Sequence, residues 1–281
     1  MTKYFLSVLL CYCLIFSAHS ATYRFGVTPW QKGQSEDSIN HHYRKMLNYL
    51  TKETGDQYII VSARDYQQMI DFLADGKVDF ASISPVPYVL AKQINPGIQL
   101  LVTEMSWDKA HETLTDSYMG YFVTKKSRDD INSLADLNMK RFGFVKKESS
   151  SGYKYPNALL KEQGLDYETY FSRHYFLGSH PRVTDAIASG SIDAGATWDF
   201  NLSQATKKHG DVFKIIFTTP PIPNLCIAAH SSLPAEKADR IRNALISIDT
   251  DLLEGLPAGG YVIRPDSFYD VVRNVALGNK T

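Results

Sequence analysis

Cysteine is nearly absent from this chain. Its 281 residues hold three, and two of them, Cys11 and Cys13, fall in an apolar stretch at the amino end. Only Cys226 is left for the body of the protein, so no internal disulfide can staple it. Cys226 lies between Leu225 and Ile227 in an apolar run, which points to a buried, unreactive thiol. An excess of either charge is also missing. Lys+Arg and Asp+Glu both number 30, which argues against nucleic acid or an anionic membrane surface as partner. There is no internal repeat and no low-complexity tract. Catalytic signatures are lacking too: no Gly-x-Ser-x-Gly elbow, no Walker loop, no His-Glu-x-x-His. His41 and His42 are adjacent and would point about 100° apart on a helix, which is poor geometry for a metal. No catalytic residue, metal or cofactor is therefore expected.

Long apolar runs are scarce as well, and the exception is at the start. Lys3 precedes an apolar run at 4–16, and small residues follow at 17–21. This is the layout of a secretory signal peptide, and the run is too short for a membrane span. The pattern Ala18-x-Ser20 sets the cut after Ser20, an uncleaved anchor being the alternative. Cys11 and Cys13 lack the small upstream residues that lipoprotein processing needs.

What is there, after residue 21, is a rhythm of strand and helix. Strands are expected at 23–27, 58–61, 78–83, 121–124, 141–145, 175–177, 192–197, 213–217 and 225–229. Helices are expected at 37–53, 65–75, 84–93, 156–163, 181–189, 200–208 and 234–253. Such alternation predicts an α/β fold with mainly parallel sheets. Turn-prone sequence at 108–117 and a proline-rich break at 218–224 divide the chain into two βα blocks with a cleft between them. Ligands of such sheets bind at the carboxyl ends of strands, where helices begin.

Three helix starts carry the chemistry. They are Ser84-Pro85, the segment Ser149-Ser150-Ser151-Gly152, and Ser179-His180-Pro181. Each sets a polar side chain at the positive end of a helix dipole, where free N–H groups make a seat for a small oxyanion without lysine or arginine. His180 can donate to an oxyanion, and protonation would strengthen that bond. Each start read alone is also an ordinary cap. Trp30, Tyr66, Tyr88, Tyr118, Tyr121 and Trp198 stand at turns or element ends, where single aromatics more often pack than bind.

The chain resembles the phosphonate-, phosphite- and phosphate-binding periplasmic proteins of ABC importers, the PhnD-like group of type II periplasmic binding proteins. The similarity rests on Phe25-Gly26-Val27-Thr28-Pro29-Trp30, Asp65-Tyr66, and Gly76 to Ala81 with Ser84-Pro85 and Tyr88. It continues through Tyr118, Lys126-Ser127, Ser149 to Tyr153 with Pro156, His180, Ala186 to Ala194, and Pro220-Pro221-Ile222-Pro223. The resemblance implies a two-lobed venus-flytrap fold with a two-segment hinge. Lobe 1 would span 22–117 and 222–281, and lobe 2 118–221, after a signal peptide at 1–20. It further implies a monomer in the periplasm that binds an oxyanion and meets an ABC permease.

By the same resemblance, the ligand-binding residues are Tyr66, Ser84, Tyr118, Ser149, Ser150, Ser151 and His180, with Asp199 as a further candidate. Tyr121 remains an alternative to Tyr118. Ser150 stands where the family has threonine. The two carboxylates that family members place around a ligand ammonium fall on Phe200 and Leu225, with Asp199 and Asn224 next to them. The expected ligand therefore has an oxyanion head and a neutral or apolar remainder, since a buried ammonium without counter-charge costs several kcal/mol. A ligand sensor signalling to a membrane receptor is the alternative role. An enzyme of thiamine-precursor type is disfavoured, because that group carries a cysteine cluster and this chain keeps only Cys226. Asp193 reads as the support of a strand end rather than a ligand contact.

Overall fold

The computed structural model describes residues 20–28, 36–108 and 112–278. The apolar leader at 4–16, the small residues up to His19, Pro29 and Trp30 lie outside them. Along the chain come β1 (Thr22–Val27), α1 (Glu36–Thr54), β2 (Gln57–Ser62), α2 (Tyr66–Ala74), β3 (Phe80–Ile83), α3 (Pro85–Ile94) and β4 (Gln99–Asp108). They are followed by β5 (Thr113–Thr115), β6 (Ser117–Tyr118), β7 (Gly120–Lys125), β8 (Arg141–Phe144), α4 (Tyr155–Glu162), α5 (Tyr167–Tyr170) and β9 (Arg173–Phe176). The rest are α6 (His180–Ser189), β10 (Ala194–Trp198), α7 (Asp199–His209), β11 (Phe213–Thr218), β12 (Ile222–Pro223), β13 (Cys226–Ala229), α8 (Ala235–Ile246), β14 (Gly260–Val262) and α9 (Asp270–Leu277). Among the described residues no helix is long and apolar enough to cross a membrane.

Two sheets organise these elements. The first has the order β14-β4-β13-β3-β1-β2, with β5 paired to β4, and the second β11-β7-β10-β8-β9. Between them the chain crosses twice, and the crossing strands pair as the short antiparallel ladder β6–β12. The α/β, two-lobed architecture is as expected, but the sheets are mixed rather than mainly parallel. Strands β2, β1, β3 and β4 do share one direction, as do β9, β8, β10 and β11. Into each set one strand is inserted backwards: β13 between β3 and β4, and β7 between β10 and β11. Each arrives directly from a crossing segment, without the helical crossover that would turn it parallel.

Burial follows the pleat. In the first sheet Phe80, Ile227 and Ala229 face a core shared with α1 and α8, where Met46, Leu50 and Ile241 are fully or almost fully buried. Their neighbours Ala81, Ile83, Cys226 and Ala228 face a core shared with α2, α3 and α9. The second sheet is likewise covered on both faces, Phe142 and Phe144 lying toward Leu160 of α4 and Val123 toward Val183 and Ile187 of α6. Cys226 is free and buried, and burial pushes its thiol well up, as befits an inert side chain. Asp193 accepts from the Arg141 backbone N–H at 2.8 Å and pairs with the Arg128 and Arg141 guanidiniums, so it ties β8 to the end of α6.

Three expectations need correction. The stretch 108–117 is no plain linker, because β5 folds back on β4 as a hairpin arm. The helix expected to run to 253 ends at Ile246 and resumes as a short 3₁₀ turn at Thr250–Leu253. Strand β4, the edge strand β14 and helix α9, which completes the cover of the first sheet, were not anticipated.

Candidate functional site

The strand ends and helix starts meet at one cavity between the two sheets. It is lined by Thr28, Tyr43, Tyr66, Ser82, Ser84, Tyr118, Ser149, Ser150, Ser151, His180, Trp198, Leu225 and Pro257. No charged side chain is in that lining. Its volume of about 60 Å³ has room for roughly four water-sized groups.

The serine turn is built by β8 and by a wide helical turn at Ser150–Lys154 that leads into α4. Ser149 is its cap: the Ser149 Oγ accepts from the Gly152 N–H at 3.1 Å, and the Ser149 carbonyl accepts from the Lys154 N–H at 2.9 Å. That second bond spans five residues, a π-type turn of the kind that gathers at functional sites. It sets three hydroxyls side by side, each nearly excluded from solvent. Gly152 is required here, because a Cβ would meet Val145 Cγ2 at 2.4 Å and Ser149 Oγ at 2.7 Å.

His180 is the first residue of α6, and its ring is buried. Its Nδ1 lies 3.3 Å from Thr197 Oγ1, which itself accepts from Asn201 Nδ2 at 2.9 Å. A threonine hydrogen pointed at Nδ1 would put the imidazole proton on Nε2. Nε2 lies 3.5 Å from Ser149 Oγ, on the serine-turn side. Burial lowers the His180 pKa to about 3, so the resting ring is a neutral donor rather than the cation considered from sequence. Ser179, just before it, makes no side-chain cap bond, and α6 keeps its first N–H groups for other use.

The opposite wall comes from the first sheet and its helices. Ser84 precedes Pro85 at the start of α3 and also makes no side-chain cap bond. Two residues on, the Val86 N–H donates to Ser150 Oγ at 3.1 Å, which joins the two walls directly. The Tyr66 phenol, beside Ser149, is pushed up to about 12 by burial. Tyr118, at the crossing, is pushed higher still, against the pull of Ser151 and Ser150 at its hydroxyl. Both tyrosines therefore stay protonated donors. Of the pair Tyr118 and Tyr121, Tyr118 is in the lining.

The structure thus brings together Tyr66, Ser84, Tyr118, Ser149, Ser150, Ser151 and His180, and leaves out Asp199. The Asp199 carboxylate accepts from the Phe200 N–H at 2.6 Å and the Met119 N–H at 3.4 Å, a cap at the head of α7. Asn224 is buried, its amide donating to the Glu104 and Thr115 carbonyls and to Ser106 Oγ. Leu225 does line the cavity, an apolar group at one of the two positions expected from the resemblance to have lost a carboxylate. Sequence reasoning missed Tyr43, Ser82 and Pro257. His41 and His42 hold their rings 6.0 Å apart, and no metal-holding cluster of three or more His, Cys, Asp or Glu occurs among the described residues.

Comparison with known proteins agrees with this fold. The family model for the periplasmic substrate-binding protein of phosphonate ABC transporters matches residues 25–269. The phosphate-import protein PhnD of Mycolicibacterium smegmatis is 28% identical over 221 residues, 74% of this chain and 67% of that one. Among solved structures, a binding protein component of a Pseudomonas aeruginosa ABC phosphonate transporter superposes with a TM-score of 0.80 at 19% identity, over 92% of this chain and 86% of its own. PhnD1 of Prochlorococcus marinus, in complex with methylphosphonate, gives 0.77 at 16% identity, over 92% and 97%.

Proposed function

We propose that this chain, which belongs to the family of periplasmic substrate-binding proteins of phosphonate ABC transporters, captures a small phosphorus oxyanion with a neutral or apolar remainder. The observation that carries the reading is the lining itself: hydroxyls, a neutral imidazole and two helix starts, in a space of about 60 Å³ without a charged side chain. Ser149, Ser150, Ser151 and His180 donate from lobe 2, and Tyr66 and Ser84 face them from lobe 1, with Tyr118 at the crossing. Donors fixed in a water-poor site favour an anion without needing a counter-ion. Phosphate, phosphite and methylphosphonate fit the volume. The Leu225 side and the absence of a lining carboxylate disfavour an ammonium tail.

Lobe 1 is residues 22–117 with 222–281 and lobe 2 is 118–221, joined by the β6–β12 ladder. An anion held by both lobes favours the closed form, and closure is what an importer's permease reads. Residues 1–20 serve as the leader that delivers the protein to the periplasm, where it acts as a monomer. Family membership favours import over a signalling role.

A thermal-shift panel of phosphate, phosphite, methylphosphonate, 2-aminoethylphosphonate and sulfate tests the reading. A ligand at about 100 times its dissociation constant should add about 2.7 kcal/mol, a shift of several degrees. At least one of the first three should stabilise, and methylphosphonate should outbind 2-aminoethylphosphonate tenfold or more. The reverse preference would overturn the neutral-tail reading, and silence across the panel would overturn the oxyanion seat.

A further inference from the structure

Behind the lobe 1 wall lies a buried acid that the binding seat does not use. Glu104 sits in the middle of β4, 5% exposed, and its carboxyl accepts from Ser82 Oγ at 3.1 Å. Ser82 lines the cavity, and the Tyr43 phenol beside it lines it too. A buried carboxyl is normally matched by a cation. Here the titratable groups around Glu104 are all acids: Tyr43 on α1, Cys226 on β13, Tyr261 paired across from it on β14, and Tyr269. No ion pair to Glu104 occurs among the described residues. Burial raises its pKa to about 7, against the downward pull of the Ser82 hydroxyl.

The direction of the Ser82 bond decides what the wall can read. When Glu104 is ionised, Ser82 must give it its only hydrogen, so every other bond of Ser82 Oγ, with the Tyr43 phenol that it meets in the lining or with a ligand, is one that it accepts. A ligand oxygen that still bears hydrogen can donate to it, whereas a bare oxyanion oxygen is repelled. When Glu104 is protonated it can donate to Ser82, and the serine hydrogen is released toward the ligand. Ser82 and the serine turn line the same cavity. Resting on the oxyanion reading above, we propose that Glu104, acting through Ser82, makes this pocket select oxyanions that carry an O–H over isosteres that cannot. Glu104 is a positioning residue, and Ser82 is the atom the ligand touches.

Methylphosphonate and methanesulfonate separate the two cases, because they share shape and only the first can hold a proton near neutrality. Methanesulfonate does not titrate, so any pH dependence of its binding belongs to the protein, and burial keeps His180 neutral across this window. Calorimetry of the full protein at pH 8 should give a preference for methylphosphonate of tenfold or more. That preference should shrink toward pH 6, where Glu104 takes up its proton and methanesulfonate gains affinity. In Glu104→Gln the amide can donate to Ser82 at every pH, so the preference should fall below about threefold at both. Ser82→Ala, which leaves Glu104 in place, should lose the preference in the same way, whether or not the glutamine variant folds. A tenfold preference at pH 8 retained in either folded variant would overturn the inference. Binding of neither ligand by the unaltered protein would overturn the oxyanion seat, and this selection with it.

Discussion

Ser150 Oγ already accepts the Val86 N–H and lies at the Tyr118 hydroxyl, so this one side chain joins the two walls at the place proposed for the ligand. Ser150→Ala should weaken oxyanion binding by about 1–3 kcal/mol, roughly 5- to 150-fold. His180→Ala removes the Nε2 donor and should cost about as much. Calorimetry checks both, with a cooperative melt as the test of fold; unchanged affinity in both would move the seat elsewhere. These residues were legible in the sequence because they stand at helix starts marked by serine and proline. Tyr43 was not, because with Met46, Leu47 and Leu50 it continues the apolar face of α1. Ser82 and Glu104 were hidden for another reason. Their facing depends on β3 and β4 flanking β13, a strand more than 120 residues further on in sequence.

Among the elements, the serine turn is the one with least tolerance. Gly152→Ala would drive a methyl group into Val145 and the Ser149 hydroxyl, and the turn has to open to receive it. We expect binding to fall by more than tenfold and the melting temperature to drop by several degrees, both read in the same thermal titration. Wild-type affinity in this variant would show that the tight turn is not what arranges the hydroxyls. Most element bounds came within a residue or two because glycine and proline punctuate them: Gly55 and Gly76 follow α1 and α2, Pro85 opens α3, and Gly190 ends α6 in a left-handed cap. Pairing did not come through. A strand such as β13 reads the same in sequence whether its neighbours run with it or against it.

At the scale of the molecule, the two walls are already in contact. Besides the Val86 to Ser150 bond, Lys146 Nζ pairs with Asp65 at 3.1 Å and Lys154 Nζ donates to the Ala276 carbonyl at 2.9 Å. Each tie joins the second-sheet side to the first. Partly exposed pairs of this kind contribute about 1 kcal/mol or less. Lys146→Met should therefore shift the ligand-free ensemble toward open forms and weaken ligand binding by up to about fivefold. Small-angle scattering with and without ligand reads the first effect as a larger radius of gyration in the free variant. Identical scattering and affinity would exclude the pair from closure.

The backward strand β13 has one more consequence, for the order of assembly. All five strands of the second sheet lie in one unbroken stretch, 120–218, whereas the first sheet lacks its middle until 226–229 have emerged. A chain that leaves the ribosome amino end first can complete its second half while β3 and β4 still have nothing between them. In this protein the half made first cannot close its sheet until the half made second is complete in sequence.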